Sequence, residues 1–317
     1  GETERAPYAG VRRSTEGSQW IIECARRDDP RPLYVLVWGG IEDLSQALHD
    51  APGILPKLRV YWIGGPNKKW GPDTFYYLAT NHPKLWIIES NATYRGWFVG
   101  GNQQGQWGNK EFVRRHIADH GALGDLFVNK KDDMKMGDTP SVGWLLKGTP
   151  NDPSQPGWGG RFVRAWERPY SRIERMTTTL DQMESFGILE LVLATGNDAP
   201  TRPEAVLSVE NQKLPGHAPG DGTIRFRFCP KIAKAHRFTI RSNVPALNGK
   251  SGGITVVAPR PDVALRPSLG LPNWWTDDPQ EEYAEGGHIG AKTVSRWREE
   301  FLRDFAERMV RSARPAR

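Results

Sequence analysis

The chain has 317 residues, 38% of them hydrophobic and 25% charged, which predicts an ordinary globular protein with a buried core. No apolar run approaches the roughly 20 residues that a membrane-spanning helix needs, so we expect no membrane partner. The formal charge is +6, but the basic residues are mostly interleaved with acidic ones and form no stripe, which argues against nucleic-acid binding.

The first half of the chain alternates helical and strand-like segments. Apolar residues recur at helical spacing between residues 15 and 29, where Thr15 is placed to cap a helix. Continuous apolar runs follow at 33–38, 58–63 and 85–88, with a second helix predicted at 44–48. Such runs are typical of strands buried on both faces of a parallel sheet. We therefore predict an α/β domain over residues 1–188, with a doubly wound, mostly parallel sheet that binds its ligand beyond the carboxyl ends of its strands.

The pattern changes from about residue 189. Short strand-like segments lie at 205–209, 223–228, 237–241 and 254–257, with turn signals rich in glycine between them. The second and third alternate apolar with polar residues, which is the pattern of half-buried antiparallel strands. We therefore predict that residues 189–260 form a small antiparallel β-sandwich.

Residues 261–317 begin with a Pro-rich connector and end in an amphipathic helix. The large apolar side chains of this helix fall on one stripe: Val294, Trp297, Phe301, Leu302, Phe305 and Met309. A stripe of this size should pack on a core, and the α/β domain offers the larger one. We therefore expect the β-module to be an insertion and the last helix to return to the α/β domain. Packing of the helix on the β-sandwich alone is the alternative.

Four short motifs occur in the order in which nucleoside hydrolases carry similar ones: Trp38 to Leu48, Ile63-Gly64-Gly65, Glu89-Ser90-Asn91 and Gly137-Asp138-Thr139-Pro140. The chain resembles more closely a bacterial group described as nucleoside-hydrolase-like and sometimes labelled cellulose-binding. That similarity lies in Trp38-Gly39-Gly40, Trp97-Phe98, residues 137–141 and Trp158-Gly159-Gly160. The resemblance implies an α/β sugar-binding fold related to enzymes that hydrolyse N-glycosidic bonds.

The resemblance also implies a metal site. In nucleoside hydrolases a calcium ion binds the sugar hydroxyls and the attacking water, and calcium takes hard oxygen ligands. By similarity, Asp138 is a carboxylate ligand and the backbone carbonyl of Ile41 is a second ligand, although an aspartate in this position, taken by itself, is more often a helix cap. Two features depart from the family, because Gly137 replaces the histidine expected as proton donor and the chain begins after the place of the Asp-rich first strand. We therefore expect an N-terminally incomplete α/β domain that binds calcium weakly, with its catalytic residues unassigned.

Four residues are candidates for binding substrate. The resemblance implies that Glu89 and Asn91 bind sugar hydroxyls, the first as an acceptor and the second as donor and acceptor. For Glu89, an exposed strand end is the alternative. Trp97 and Trp158 are either sugar-stacking platforms or core residues, and we include both among the substrate-binding candidates.

Residues 39–43, 89–97 and 138–140 all follow apolar strands or begin helices, so we expect them to converge on one pocket at the sheet edge. The first functional hypothesis is a glycosidic-bond hydrolase, metal-assisted in the complete protein, that acts on a nucleoside or small glycoside. The alternative is a non-catalytic carbohydrate-binding protein of polysaccharide metabolism. The sequence leaves open the substrate, the compartment, and whether the protein forms a homo-oligomer.

Overall fold

The computed structural model describes residues 6–167 and 170–313. These residues form nine α-helices: α1 (Glu16–Ala25), α2 (Glu42–Asp50), α3 (Gly65–Trp70), α4 (Pro72–Asn81), α5 (Asn109–His116), α6 (Gly121–Lys130), α7 (Thr139–Leu146), α8 (Lys292–Ser295) and α9 (Arg298–Ser312). They also form thirteen strands: β1 (Leu33–Val37), β2 (Leu58–Ile63), β3 (Ile87–Ser90), β4 (Phe162–Arg164), β5 (Tyr170–Ile173), β6 (Gln182–Glu184), β7 (Ile188–Ala194), β8 (Ala205–Val209), β9 (Gln212–Pro215), β10 (Thr223–Phe228), β11 (Ala235–Ser242), β12 (Ser251–Val257) and β13 (Trp274–Asp277). In this part of the chain, no helix combines the length and the apolar character that crossing a membrane requires.

The main sheet has five strands in the order β1-β2-β3-β13-β4. The first four run parallel, and β4 is antiparallel to β13. Alternate residues of β2 face opposite clusters, since Trp62 packs with α1, α2 and α4, whereas Tyr61 packs with Trp144 of α7. The predicted α/β fold with a mostly parallel sheet is confirmed, and the carboxyl ends of the four parallel strands meet at one edge.

Strand β1 differs from its prediction. Its continuous apolar run indicated a strand buried on both faces, yet all five residues are only half-buried. The reason is its place in the sheet: within the described residues β1 pairs only with β2 and lies at the edge. Strand β2, which has a neighbour on each side, is buried except for Arg59. The prediction of burial on both faces is therefore wrong for β1 and confirmed for β2.

The C-terminal region contributes a strand that the sequence analysis missed. Strand β13 lies beside β3 in parallel register, with Trp274 opposite Ile87. Trp274 is fully buried and its ring packs edge-on against Phe75 of α4. The sequence indicated only a connector here, because two tryptophans between prolines and acids are too short a run to predict a strand.

The remaining strands form two further sheets, of order β10-β7-β5 and β6-β12-β11-β8-β9. One apolar cluster draws on both sheets, with Leu191 and Phe226 from the first and Ile240 and Val256 from the second. Most pairings are antiparallel, but β5 pairs with β7 and β6 with β12 in parallel. Strands β5 and β6 also precede residue 189, the predicted start of this module. The sandwich arrangement itself stays a prediction.

Helix α9 packs on residues of the first half of the chain. Phe301 stacks on Trp97 with ring centroids 3.8 Å apart and an interplanar angle of 10°. Leu302 and Met309 belong to the same buried cluster, together with Phe112 of α5. The final helix therefore covers the loop that follows β3 and the helix after it, although the predicted domain boundaries stay untested.

Candidate functional site

Glu89 and Asn91 lie together at the carboxyl end of β3, and both are buried, with 1% and 3% of their surface exposed. Lys68 of α3 donates a hydrogen bond to Glu89 Oε1 over 2.8 Å, and the Asn91 side-chain amide donates to the same oxygen over 2.8 Å. Lys68 is itself fully buried. The alternative of an exposed strand end is therefore wrong for Glu89, whose charge is neutralised inside the protein.

Asp277 is a site residue that the sequence analysis missed. It ends β13, next to β3, and its carboxylate accepts hydrogen bonds from the backbone N–H groups of Asn91 (3.1 Å), Ala92 (2.9 Å) and Thr93 (3.1 Å). Three such bonds fix the loop after β3. The following residue, Asp278, pairs with Arg161. The available signal was the order of an apolar pair, a threonine and two acids in Trp274-Trp275-Thr276-Asp277-Asp278.

Ser141 links the Trp38 side chain to the backbone of Asp138 through two hydrogen bonds. The Trp38 indole Nε1 donates to Ser141 Oγ over 2.8 Å, and Ser141 Oγ donates to the Asp138 carbonyl over 2.7 Å. Trp38 is nevertheless 56% exposed, at the carboxyl end of β1. Asp138 occupies the N-cap position of α7 but its side chain makes no capping hydrogen bond. Burial raises the pKa of the Asp138 carboxyl.

Residues next to the three segments predicted to converge are in contact, and convergence of the segments on one pocket stays a prediction. Trp38 and Ser141 join the loop after β1 to the start of α7, as just described. Tyr94, in the loop after β3, lies between two glycines, since a methyl group at Gly65 would come within 3.0 Å of its ring and one at Gly137 within 3.3 Å. The separation of the Glu89 and Asp138 carboxylates, the sharper part of that expectation, stays a prediction.

The two residues implied as calcium ligands do not fit a calcium site by themselves. The Ile41 carbonyl accepts the first backbone hydrogen bond of α2, from Ser45 N over 3.0 Å, and Ile41 is 1% exposed. Calcium takes 6–8 oxygen ligands. Among the residues that the structure describes, no group of three or more His, Cys, Asp or Glu could hold a metal ion. Within the described part of the chain, Asp138 therefore has no group of further carboxylates that would complete a metal centre.

Trp97 and Trp158 lie in the interior. Trp97 is 4% exposed and stacks on Phe301, and Trp158 is 9% exposed in the same cluster. A packing role accounts for both positions, and a sugar could stack on either ring only after this cluster rearranged. The exposed indole at the strand edge is Trp38, which the sequence analysis used as a family motif but not as a ligand contact.

Comparison of the sequence with known protein families gives a matching family model. The family model described as "Cellulose-binding Sde182, nucleoside hydrolase-like domain" matches residues 1–162. No curated protein matches the chain.

Solved structures that are similar include a nucleoside hydrolase-related hypothetical protein from Saccharophagus degradans that is associated with carbohydrate metabolism. It has a TM-score of 0.39 and 17% identity over 77% of this chain and 75% of that one. A putative glycoside hydrolase from Bacteroides vulgatus has a TM-score of 0.23 and 26% identity over 26% of this chain and 17% of that one.

Proposed function

Since the chain belongs to the family of cellulose-binding, nucleoside hydrolase-like domains, we propose that it binds carbohydrate and that Trp38 is its main sugar contact. The observation that carries this proposal is an indole that is 56% exposed and yet held in place by a hydrogen bond to Ser141. The face of a sugar ring carries C–H groups and packs well on a flat aromatic surface. A ring that is already fixed loses little conformational entropy when a ligand stacks on it.

Exposure alone would not distinguish Trp38, because single exposed apolar residues are common. Trp20 and Trp70 are also exposed, at 55% and 51%. Each of these carries a cation over its ring, Arg27 at 5.1 Å and Lys69 at 5.4 Å from the ring centroid, respectively. Trp38 carries no cation among the described residues, and its indole is linked through Ser141 to the backbone carbonyl of Asp138.

The hydrogen bonds that the buried carboxylates already make favour binding without cleavage. Glycoside hydrolysis uses two carboxyl groups, one as a proton donor and one as a base or nucleophile. At the strand ends, Glu89 is held by Lys68 and Asn91, and Asp277 by three backbone N–H groups. Both therefore serve the structure of the loop after β3.

Hydrolysis of a small glycoside or a nucleoside is the second candidate, and one observation supports it. Burial raises the pKa of Asp138, and an upward shift is the direction that suits a carboxyl group to act as a general acid. We propose no role for calcium in such a reaction, because Asp138 and Ile41 do not form a site for it.

The test is to titrate cello-oligosaccharides into the wild type and into Trp38→Ala by calorimetry. We expect about tenfold weaker binding by the variant, since a stacking aromatic contact contributes roughly 1 kcal/mol or more. Trp20→Ala is the matched control, because it removes an equally exposed indole on α1 and should leave the affinity unchanged.

Equal affinity of Trp38→Ala and the wild type would rule out Trp38 as the contact. Chromatography of the same mixtures separates the two candidates. Products that the wild type forms from an oligosaccharide or a nucleoside, and that Asp138→Asn does not form, would favour the hydrolase over the binding protein.

A further inference from the structure

A cavity with a volume of about 360 Å³ lies where several parts of the chain meet. The loop after β3 contributes Asn91 and Arg95, the loop before β7 contributes Phe186, the loop after β10 contributes Lys231, and the segment before α8 contributes His288. Ligand pockets in proteins start at about 300 Å³, so this cavity has room for a small ligand such as one sugar unit.

The lining of this cavity is positive. Arg95, Lys231 and His288 are its ionisable basic residues, and no Asp or Glu is among the described residues that line it. Neither Arg95 nor Lys231 forms an ion pair with a described residue. Glu210, an acid whose charge acts on Lys231, is paired with Lys69 and lies 3.9 Å from the ammonium group of Lys234. The positive charge of the cavity is therefore left for a ligand to balance.

The basic groups also repel one another. Burial, followed by the charges of Arg95 and Lys69, lowers the pKa of Lys231. Burial and then the charge of Arg95 lower the pKa of His288. A bound anion would offset the repulsion between these basic groups, because it places a negative charge among partly desolvated cations.

Asn91 adds a neutral polar contact. Its side-chain nitrogen donates to Glu89 and its backbone nitrogen to Asp277, so the side chain is held in one orientation. Its Oδ1 is buried and accepts no hydrogen bond from the described residues. An unsatisfied buried acceptor is costly, and a hydroxyl group of a ligand would satisfy it.

We infer that this cavity binds an anionic sugar, with its carboxylate or phosphate group on Arg95 and Lys231 and a hydroxyl group on Asn91 Oδ1. Arginine binds either anion through two parallel hydrogen bonds, and the lysine adds a point charge. The inference extends the proposed sugar binding to a second site with different residues, and it does not depend on the contact at Trp38.

The experiment is a calorimetric titration with glucuronate, glucose 6-phosphate, glucose and inorganic phosphate. We expect saturable binding of at least one of the two acidic sugars, and at least about tenfold weaker binding of glucose and of inorganic phosphate. Binding of glucuronate alone identifies a carboxylate ligand, and binding of glucose 6-phosphate alone identifies a phosphate ligand. Inorganic phosphate that binds as tightly as the acidic sugars would overturn the inference, since the sugar would contribute nothing.

Variants locate the site. Lys231→Met and Arg95→Gln should each weaken binding of the acidic sugar about tenfold or more. Lys250→Met is the matched control, because it removes the same charge at an exposed residue that does not line the cavity. Thermal unfolding checks that each variant is folded. Equal weakening by Lys231→Met and Lys250→Met, or no saturable binding of either acid by the wild type, would also overturn the inference. Because the probes differ from cello-oligosaccharides, either site can fail while the other stands.

Discussion

Lys68 and Glu89 form an ion pair from which water is excluded, with side chains 0% and 1% exposed and 2.8 Å between Nζ and Oε1. Lys68 Nζ also lies 3.5 Å from the centre of the Phe75 ring, which gives the ammonium group a second favourable contact. Such a pair is costly to bury, and removing one partner leaves an uncompensated charge in the interior. The pair therefore ties α3 to the end of β3.

Lys68→Met should lower the free energy of unfolding by about 3–5 kcal/mol, because Glu89 would keep its charge and lose the ammonium group 2.8 Å from its Oε1. Urea denaturation followed by circular dichroism measures the effect. The double variant Lys68→Met/Glu89→Gln should recover much of the loss, since glutamine keeps an oxygen for Asn91 without the charge. Lys84→Met, at an exposed lysine, is the control and should change stability by less than about 0.5 kcal/mol. A cost below about 1 kcal/mol for Lys68→Met would contradict the buried pair.

At the scale of elements, helix α9 is held by one apolar face. Phe301 is 1% exposed and stacks on Trp97, whereas Val310 on the same helix is 45% exposed. Phe301→Ala should cost about 3–5 kcal/mol, since it removes a stacked ring and leaves a cavity between α9 and the loop after β3. Val310→Ala should stay within about 0.5 kcal/mol. Thermal and urea unfolding of the two variants compare the positions, and similar costs would show that α9 is not anchored through this face.

At the scale of the whole molecule, Arg227 links the β-module to the α/β part. From β10 it donates to Asp73 of α4 over 3.1 Å, to Glu190 of β7 over 3.1 Å and to the Tyr8 carbonyl over 2.8 Å. All three ionic side chains are buried. The guanidinium group thus balances two carboxylates that come from different parts of the chain.

Arg227→Met should lower the free energy of unfolding by about 3–5 kcal/mol and loosen the contact between the two parts, because two buried carboxylates would lose their shared cation. Limited proteolysis should then cut the variant faster than the wild type, and urea denaturation gives the loss of stability. Arg237→Met, on exposed strand surface in β11, is the matched control. Cleavage at the wild-type rate together with unchanged stability would show that Arg227 does not join the two parts.

Local sequence patterns were enough to predict those features that depend on neighbouring residues. Thr15 and Ser18 exchange the hydrogen bonds of a capping box at the start of α1, each 2.9 Å long, although the helix ends at Ala25 and not at residue 29. The apolar run of β2 likewise predicted burial, as did Phe301, Leu302 and Met309 of the predicted stripe, because the side-chain period of a strand or a helix repeats along the chain. Val294 and Trp297 of that stripe lie outside α9, the first in α8 and the second at the N-cap of α9. Motif order also sufficed to indicate the family over residues 1–162.

Only the tertiary structure decided which neighbour each element has. Strand β1 is a continuous apolar run and β2 contains Arg59, yet β2 is the more buried of the two, because β1 lies at the edge of the sheet and β2 has a neighbour on each side. Asp277 lies 186 residues from Asn91 and caps its loop, because β13 inserts beside β3. The cavity with Arg95 and Lys231 likewise combines segments that are far apart in the chain. Charge balance and burial at such places depend on long-range packing, which no local period or spacing encodes.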